Sequence, residues 1–135
     1  MAKRDPAPIR FPPNPKLAAL YARVVGIAEE FPGVQASRSY GTPAIKVKQK
    51  LLARLRSEAE GGLAIRCDVM ERQMLLQAAP ETFYLTDHYA NGRSSMILIN
   101  LETVRWEAVR GIVEHAWRIV ATPRLIDEFE HPDGA

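Results

Sequence analysis

The sequence has little of what disulfide-bonded, metal-binding or membrane proteins need. Its 135 residues include one cysteine, Cys67, so an internal disulfide is excluded and a thiolate metal site is not predicted. The three histidines, His88, His115 and His131, do not show the one-turn spacing of paired helical metal ligands. No apolar run reaches the roughly 18 residues that a membrane span needs, and the N-terminus lacks the hydrophobic region of a secretory leader. We expect a cytoplasmic protein with no cofactor, no metal and no membrane partner.

Charge and glycine content exclude further classes of protein. The 18 Lys and Arg and the 16 Asp and Glu leave a formal charge of +2, which gives no overall attraction to nucleic acid. No glycine-rich loop follows a predicted strand, so neither a dinucleotide site nor a P-loop is predicted. No pairing of a nucleophile with a base is recognisable along the chain, and we predict no catalytic residue. The sequence therefore favours a binding protein over an enzyme.

Prolines divide the chain into three parts. Five of the ten prolines lie in the first 15 residues, where each removes a backbone donor and favours extended geometry in the residue before it. They predict a flexible proline-rich arm over residues 1–13, followed by a single domain over 14–129 and a flexible tail over 130–135. At the start of the domain, Asn14 and Pro15 have the residue types of a helix N-cap and of a first helical position.

Two apolar stripes with helical spacing predict long helices at the two ends of the domain. The first stripe runs from Leu17 to Phe31, and the second runs from Val109 to Val120. Trp117 lies on the second stripe and is expected in the core. The four-residue spacing of Met70 and Met74 indicates packing of a short helix between the two long ones.

Between the long helices, apolar and basic residues alternate, which is typical of strands with one solvated face. From Ile45 to Leu55 the odd positions outside the predicted loop are apolar and the even ones are basic, with Leu52 as the exception. An odd-length loop over Lys48–Lys50 is predicted because it keeps both apolar sets on one face of a hairpin. Further strands are predicted at Leu63–Cys67, Thr82–Thr86 and Ser95–Leu101, with a short helix from Val69 to about Ala78. The order α-β-β-β-α-β-β-α predicts an α+β fold, in which an antiparallel sheet of about five strands packs in two layers against helices.

Four separated segments of the chain resemble the MmcQ/YjbR family, in the family's order. They are Tyr-Gly-Thr-Pro-Ala-Ile-Lys-Val (Tyr40–Val47), Lys-Leu-Leu-Ala-Arg-Leu (Lys50–Leu55), Thr-Asp-His-Tyr (Thr86–Tyr89) and Ala-Trp-Arg-Ile-Val (Ala116–Val120) with Pro123 after it. The resemblance covers about residues 17–125 and implies a two-layer α+β fold similar to that of secretion chaperones. It also implies DNA binding, since the family is commonly described as DNA-binding. The family often has glycine in the hairpin turn where this sequence has Gln49.

A basic window in the strand region is the strongest physical argument for DNA. Residues 38–56 hold six basic residues and no acidic one, so this window carries +6 and the rest of the chain carries −4. The six are Arg38, Lys46, Lys48, Lys50, Arg54 and Arg56. On one sheet face they would contact phosphates without reading bases. The alternative interpretation is a solvated face whose lysines protect an edge strand from aggregation.

His88 and Tyr89 form a second candidate site. His88 falls where the resembled family has a recurrent histidine, in the segment 87–94 and just before its turn signal Asn91-Gly92. Its ring has three open roles: it fixes the loop by bonding a backbone carbonyl, it contacts a ligand, or it takes part in catalysis. Catalysis would need a partner that only the fold can bring close, because adjacent strand residues such as Asp87 point to opposite faces.

Two hypotheses about function follow from these observations. The first is a non-catalytic module that binds DNA through a basic strand face by phosphate contacts. The second is a protein–protein interaction module that resembles secretion chaperones and has no role with nucleic acid. Salt separates the two, because counterion release makes phosphate binding strongly salt-dependent, whereas contact through an apolar patch depends on salt much less.

We predict that His88→Ala lowers the free energy of unfolding by about 1–3 kcal/mol if the ring satisfies a buried carbonyl. Urea denaturation of the two proteins measures this difference. An unchanged unfolding curve would contradict the loop-fixing role and favour a functional role at the surface.

Overall fold

The computed structural model describes residues 13–39, 41–56, 62–90 and 95–133. The predicted arm therefore lies outside the described residues except for Pro13, as do the last two residues of the predicted tail and the end of the turn predicted over 87–94. The helices and strands are, in chain order, α1 (Pro15–Ala28), β1 (Val34–Ser39), β2 (Thr42–Val47), β3 (Lys50–Leu55), β4 (Leu63–Arg66), α2 (Val69–Ala78), β5 (Phe83–Tyr84), α3 (Asp87–Ala90), β6 (Met96–Ile99), α4 (Trp106–Val120) and α5 (Pro123–Glu130).

The strands form one open antiparallel sheet in the order β1-β2-β3-β4-β6-β5. The predicted α+β class, with an antiparallel sheet against helices, is confirmed. The described sheet has six strands where about five were predicted, because β1 was not recognised. Its sequence, Val-Gln-Ala-Ser-Arg-Ser, shows no apolar alternation, since none of its side chains is fully buried. Likewise, α3 is a single helical turn where a turn was predicted, and α5 is a longer helix than the terminal turn that was predicted.

The hairpin between β2 and β3 has a shorter loop than predicted. Val47 pairs with Lys50, so the loop has two residues, and the predicted three-residue loop is wrong. Lys48 and Gln49 have φ values of 50° and 75°, as a type I′ turn requires. The pairing then changes from Lys46 with Leu51 to Ile45 with Ala53, which leaves Leu52 as the extra residue of a β-bulge. This bulge restores the parity that a two-residue loop would otherwise reverse.

The two faces of the sheet have different surroundings. On the helix face, Ile45, Leu52 and Ala53 are fully buried in the main core together with side chains of α1, α4 and α5. We call the opposite side the outer face. There, the β4–β6 part is covered by Tyr89 of α3, which packs with Ala64, Met96 and Leu98 in a second cluster.

Trp117 of α4 lies at the centre of the helix layer, as predicted. Its side chain is fully buried, its Nε1–H donates to the carbonyl of Pro32 at 2.8 Å, and its ring packs on Phe31 and Phe129. The carbonyl lies in the connection from α1 to β1, so this hydrogen bond ties that connection to the last helices. None of the helices in the described ranges has the length and apolar character that a membrane crossing demands.

We predict that Gln49→Gly stabilises the protein by about 0.5–1 kcal/mol, because a glycine adopts φ near +75° without the steric cost that a side chain incurs. Urea denaturation measures the change in the free energy of unfolding. The matched control is Gln35→Gly in β1, where glycine loses more chain entropy on folding and lowers stability by a similar amount. A loss of stability in Gln49→Gly would contradict the proposed turn geometry.

Candidate nucleic-acid interface

Three basic side chains of adjacent strands lie on the outer face. The register places Lys46 of β2 opposite Gln35 of β1, and Arg54 of β3 between Ala44 and Ala64. Arg66 of β4 pairs with Met96, a member of the outer-face cluster, so it lies on the same side. Lys48 stands at the exposed tip of the hairpin that carries Lys46. We call Lys46, Lys48, Arg54 and Arg66 the basic patch.

Arg66 was not among the predicted site residues, since it lies outside the basic window. One signal in the sequence could have found Arg66. It follows Ala64 by two positions in a predicted strand, so the two side chains share a face. Its Nε–H donates to the carbonyl of Leu51 at 2.8 Å, which holds the guanidinium plane over β3. Among the described residues no acceptor lies within hydrogen-bond distance of its two Nη groups, and the side chain is partly exposed. A guanidinium fixed in this way offers its outer edge to a phosphate at a small entropic cost.

Arg54 has a structural contact on the same face. Its Nε–H donates to Thr42 Oγ1 at 2.9 Å and to the carbonyl of Ser39 at 3.3 Å. Thr42 Oγ1 in turn donates to the same carbonyl at 2.9 Å. Arg54 therefore braces the β1–β2 turn, and its removal would disturb that turn as well as the charge of the basic patch.

Arg56 is buried within the cover of the outer face. It is 8% exposed, and its Cζ lies 5.5 Å from the ring centroid of Tyr89, itself 8% exposed. The carbonyl of Tyr89 accepts from Arg72 Nη1 at 3.3 Å, and the same Nη1 donates to the carbonyl of Met96 at 3.2 Å. Arg56, Arg72 and Tyr89 thus hold α3 and α2 against the sheet, and the burial of Arg56 leaves it poorly placed for a phosphate contact.

The other two residues of the basic window lie on the opposite side of the sheet. Arg38 pairs with Pro43, which has the parity of the helix-face residue Ile45. Lys50 pairs with Val47, which is also buried in the main core. The window that looks continuous in sequence is therefore divided between the two faces and the hairpin tip.

The second candidate site is only partly described. His88 lies within α3, and its side chain falls outside the described part of the structure, so its three possible roles stay predictions. His115 of α4 contacts the start of α2: its Nε2 accepts from the backbone N–H of Asp68 at 3.2 Å and lies 3.1 Å from Asp68 Oδ2. Within the described ranges, no three His, Cys, Asp or Glu side chains are grouped as a metal site would need.

Cys67 lies at the end of β4 and is 1% exposed. Burial raises the pKa of its thiol to about 12, and the nearby carboxylates of Glu71 and Asp68 add to this effect. At neutral pH the thiolate form is negligible, so the side chain is a packed apolar group and a poor nucleophile.

The surface of α2 contradicts the packing predicted for its methionines. Met70 and Met74 are 77% and 64% exposed, and Val69 is 50% exposed. The helix is held from its other side by the buried Arg72 and by Leu75, which packs against the main core. Beside it, α2, β5 and α4 enclose a groove of about 500 Å³. Its apolar lining includes Leu75, Ala79, Phe83, Val104, Ala108 and Ile112.

Comparison with known proteins identifies the family of the chain. The model of the family described as YjbR matches residues 29–119, which run from the end of α1 to the last turn of α4 and include the whole sheet. No match is found among curated proteins or among solved structures. The matched range covers more than half of the 135 residues and contains three of the four segments on which the resemblance was based, together with the first four residues of the fourth. The chain therefore belongs to the YjbR family.

Proposed function

We propose that this protein is a non-catalytic module that binds duplex DNA through the phosphate contacts of the basic patch. The observation that carries the proposal is the arrangement of Lys46, Arg54 and Arg66 on three neighbouring strands of the outer face, each with a partly exposed side chain. Neighbouring strands lie about 4.8 Å apart, so the three cations span a width that suits consecutive phosphates of one DNA strand. Gln35 and Ser37 of β1, on the same face, add polar side chains that can donate to phosphate oxygens.

The pairing of charges supports this surface over the rest of the molecule. On the helix side, Lys16, Arg105, Arg110 and Arg118 each form an ion pair with a glutamate. Among the described residues, no carboxylate lies within ion-pair distance of Lys46, Lys48 or Arg66. The charges of these three members of the basic patch are therefore not cancelled by described carboxylates, although the whole chain carries only +2.

The geometry of the basic patch favours phosphate contacts with little reading of base sequence. Its cations stand on a sheet face, and none of them is carried by a helix that would enter the major groove. Four contacts predict a slope of about −3 to −4 for log affinity against log salt concentration, at about −0.9 per phosphate.

The test is a fluorescence-anisotropy titration of a short duplex from about 50 mM to 200 mM salt, for the unmodified protein and single variants. We expect Lys46→Gln and Arg66→Gln each to weaken binding and to reduce the salt slope by about one contact. Lys50→Gln is the matched control, since it removes the same charge from the other face of the same hairpin, and it should leave the slope unchanged.

Two results would overturn the proposal. One is the absence of binding by the unmodified protein at about 50 mM salt, where electrostatic binding is strongest. The other is an equal loss of affinity in Lys46→Gln, Arg66→Gln and Lys50→Gln, which would show a diffuse attraction with no defined surface. Urea denaturation of each variant confirms that the fold is intact, and Arg54 is left unchanged because it braces the β1–β2 turn.

A second candidate function is binding of another protein, and the surface of α2 favours it. Val69, Met70 and Met74 expose an apolar surface beside the groove between α2 and α4. Flexible methionine side chains adapt to varied apolar partners, and exposed apolar patches often mark interaction sites. Such binding would show a small salt dependence, and Met70→Gln with Met74→Gln would weaken it while leaving the net charge and the anisotropy titration with DNA unchanged.

A further inference from the structure

The strand β1 is an edge of the described sheet. Among the described residues β1 pairs with β2 alone, in a register that is regular over all six pairs from Val34 with Val47 to Ser39 with Thr42. The strand contains no proline, no glycine and no bulge, and Arg38 is its one charged residue. Proline, bulges and charged side chains are the devices with which proteins usually protect an edge from pairing with another strand, and of these β1 has one charge alone. At the opposite edge, β5 is only two residues long.

The side chains of β1 are accessible on both faces. Gln35 on the outer face is exposed, and so are Ala36 and Arg38 on the helix face. By contrast, Ile45 and Val47 of the neighbouring strand are fully buried under the helices. The described helix layer reaches Val34, which packs against the main core, and leaves Ala36 and Arg38 exposed to an approaching strand.

The charged residues near β1 indicate which strand can pair with it. The exposed Glu29 is the C-cap of α1, whose last turn has no basic residue, so its carboxylate lies at the negative end of the helix dipole. The neighbouring Glu30 pairs with Arg110, whereas no cation among the described residues pairs with Glu29. A tight turn, closed by a hydrogen bond from the N–H of Val34 to the carbonyl of Phe31, brings this end of α1 next to the start of β1.

Glu29 and Arg38 lie at opposite ends of β1 within one chain. Val34 and Arg38 are four residue steps apart, or about 13 Å along the strand. In an antiparallel pair of two β1 strands in which Ala36 pairs with Ala36, Arg38 of one chain falls beside Val34 of the other, near its Glu29. Both groups belong to the helix side of the sheet, and the twofold symmetry makes the contact twice.

We propose that β1 pairs antiparallel with β1 of a second copy of this chain, with Arg38 of each copy facing Glu29 of the other. The two sheets then form one continuous sheet about a twofold axis normal to it. Two six-residue strands bury less area than the 1,200–2,000 Å² that is typical of stable interfaces, so we expect a weak, concentration-dependent dimer. The inference does not depend on DNA binding, although it places the basic patches of both copies on the same side of the sheet.

Sedimentation equilibrium from about 10 µM to 1 mM tests the pairing, because it spans the dissociation constants of weak interfaces. We expect the unmodified full-length chain to dimerise within this range. Arg38→Glu alone and Glu29→Arg alone should each raise the dissociation constant at least about tenfold, since each places like charges together twice. The double variant Arg38→Glu with Glu29→Arg should restore it to within about threefold.

Arg105→Glu, just before α4, is the matched control, because it makes the same charge change at an exposed position beside the groove near β5, at the other end of the described sheet, and it should leave dimerisation unchanged. A protein that stays monomeric at about 1 mM overturns the proposal. The protein would stay monomeric if another part of its own chain covers β1. Dimerisation that the single reversals do not weaken, or that the double variant does not restore, overturns it as well. Unfolding curves that coincide for all variants confirm that each is folded.

Discussion

The bulge at Leu52 is the constraint on which the arrangement of this protein depends. A two-residue turn reverses the parity of the two strands that it joins, so the apolar side chains of β3 would otherwise face away from those of β2. The extra residue restores the parity, and it places Leu52 and Ala53 together in the main core. The same shift places Arg54 on the outer face with Lys46. A single inserted residue therefore determines both the packing of the helix face and the charge of the outer face.

Arginine has two physical roles on the outer face, and burial distinguishes them. Arg56 and Arg72 are each 8% exposed and hold α3 and α2 to the sheet through the ring and carbonyl of Tyr89 and the carbonyl of Met96. Arg66 is anchored by Nε alone, and its outer edge reaches solvent. In Arg54 the same kind of Nε contact braces a turn. Because Arg54 and Arg66 are already held by their Nε contacts, they lose less side-chain entropy when they bind a phosphate, which suits the proposed interface.

The two ends of the sheet give the protein different surfaces. Near β1 the surface is made of open backbone, small side chains and one cation, which suits strand pairing by hydrogen bonds. Near β5 it is made of the apolar groove and the methionines of α2, which suits an apolar partner. The basic patch lies between them on the outer face, so occupation of any one surface leaves the other two accessible in the described part of the chain.

The sequence by itself determined the α+β class, the long helices and the core position of Trp117, because periodic apolar spacing is a local property of the chain. It also located most of the basic patch, since alternation assigns Lys46 and Arg54 to one side of a strand. Only the tertiary structure decided the rest. The bulge at Leu52, the burial of Arg56 and the inclusion of Arg66 depend on strand register and on which side chains cover a face. Register and cover are set by contacts between residues far apart in sequence, and a one-dimensional pattern does not contain those contacts.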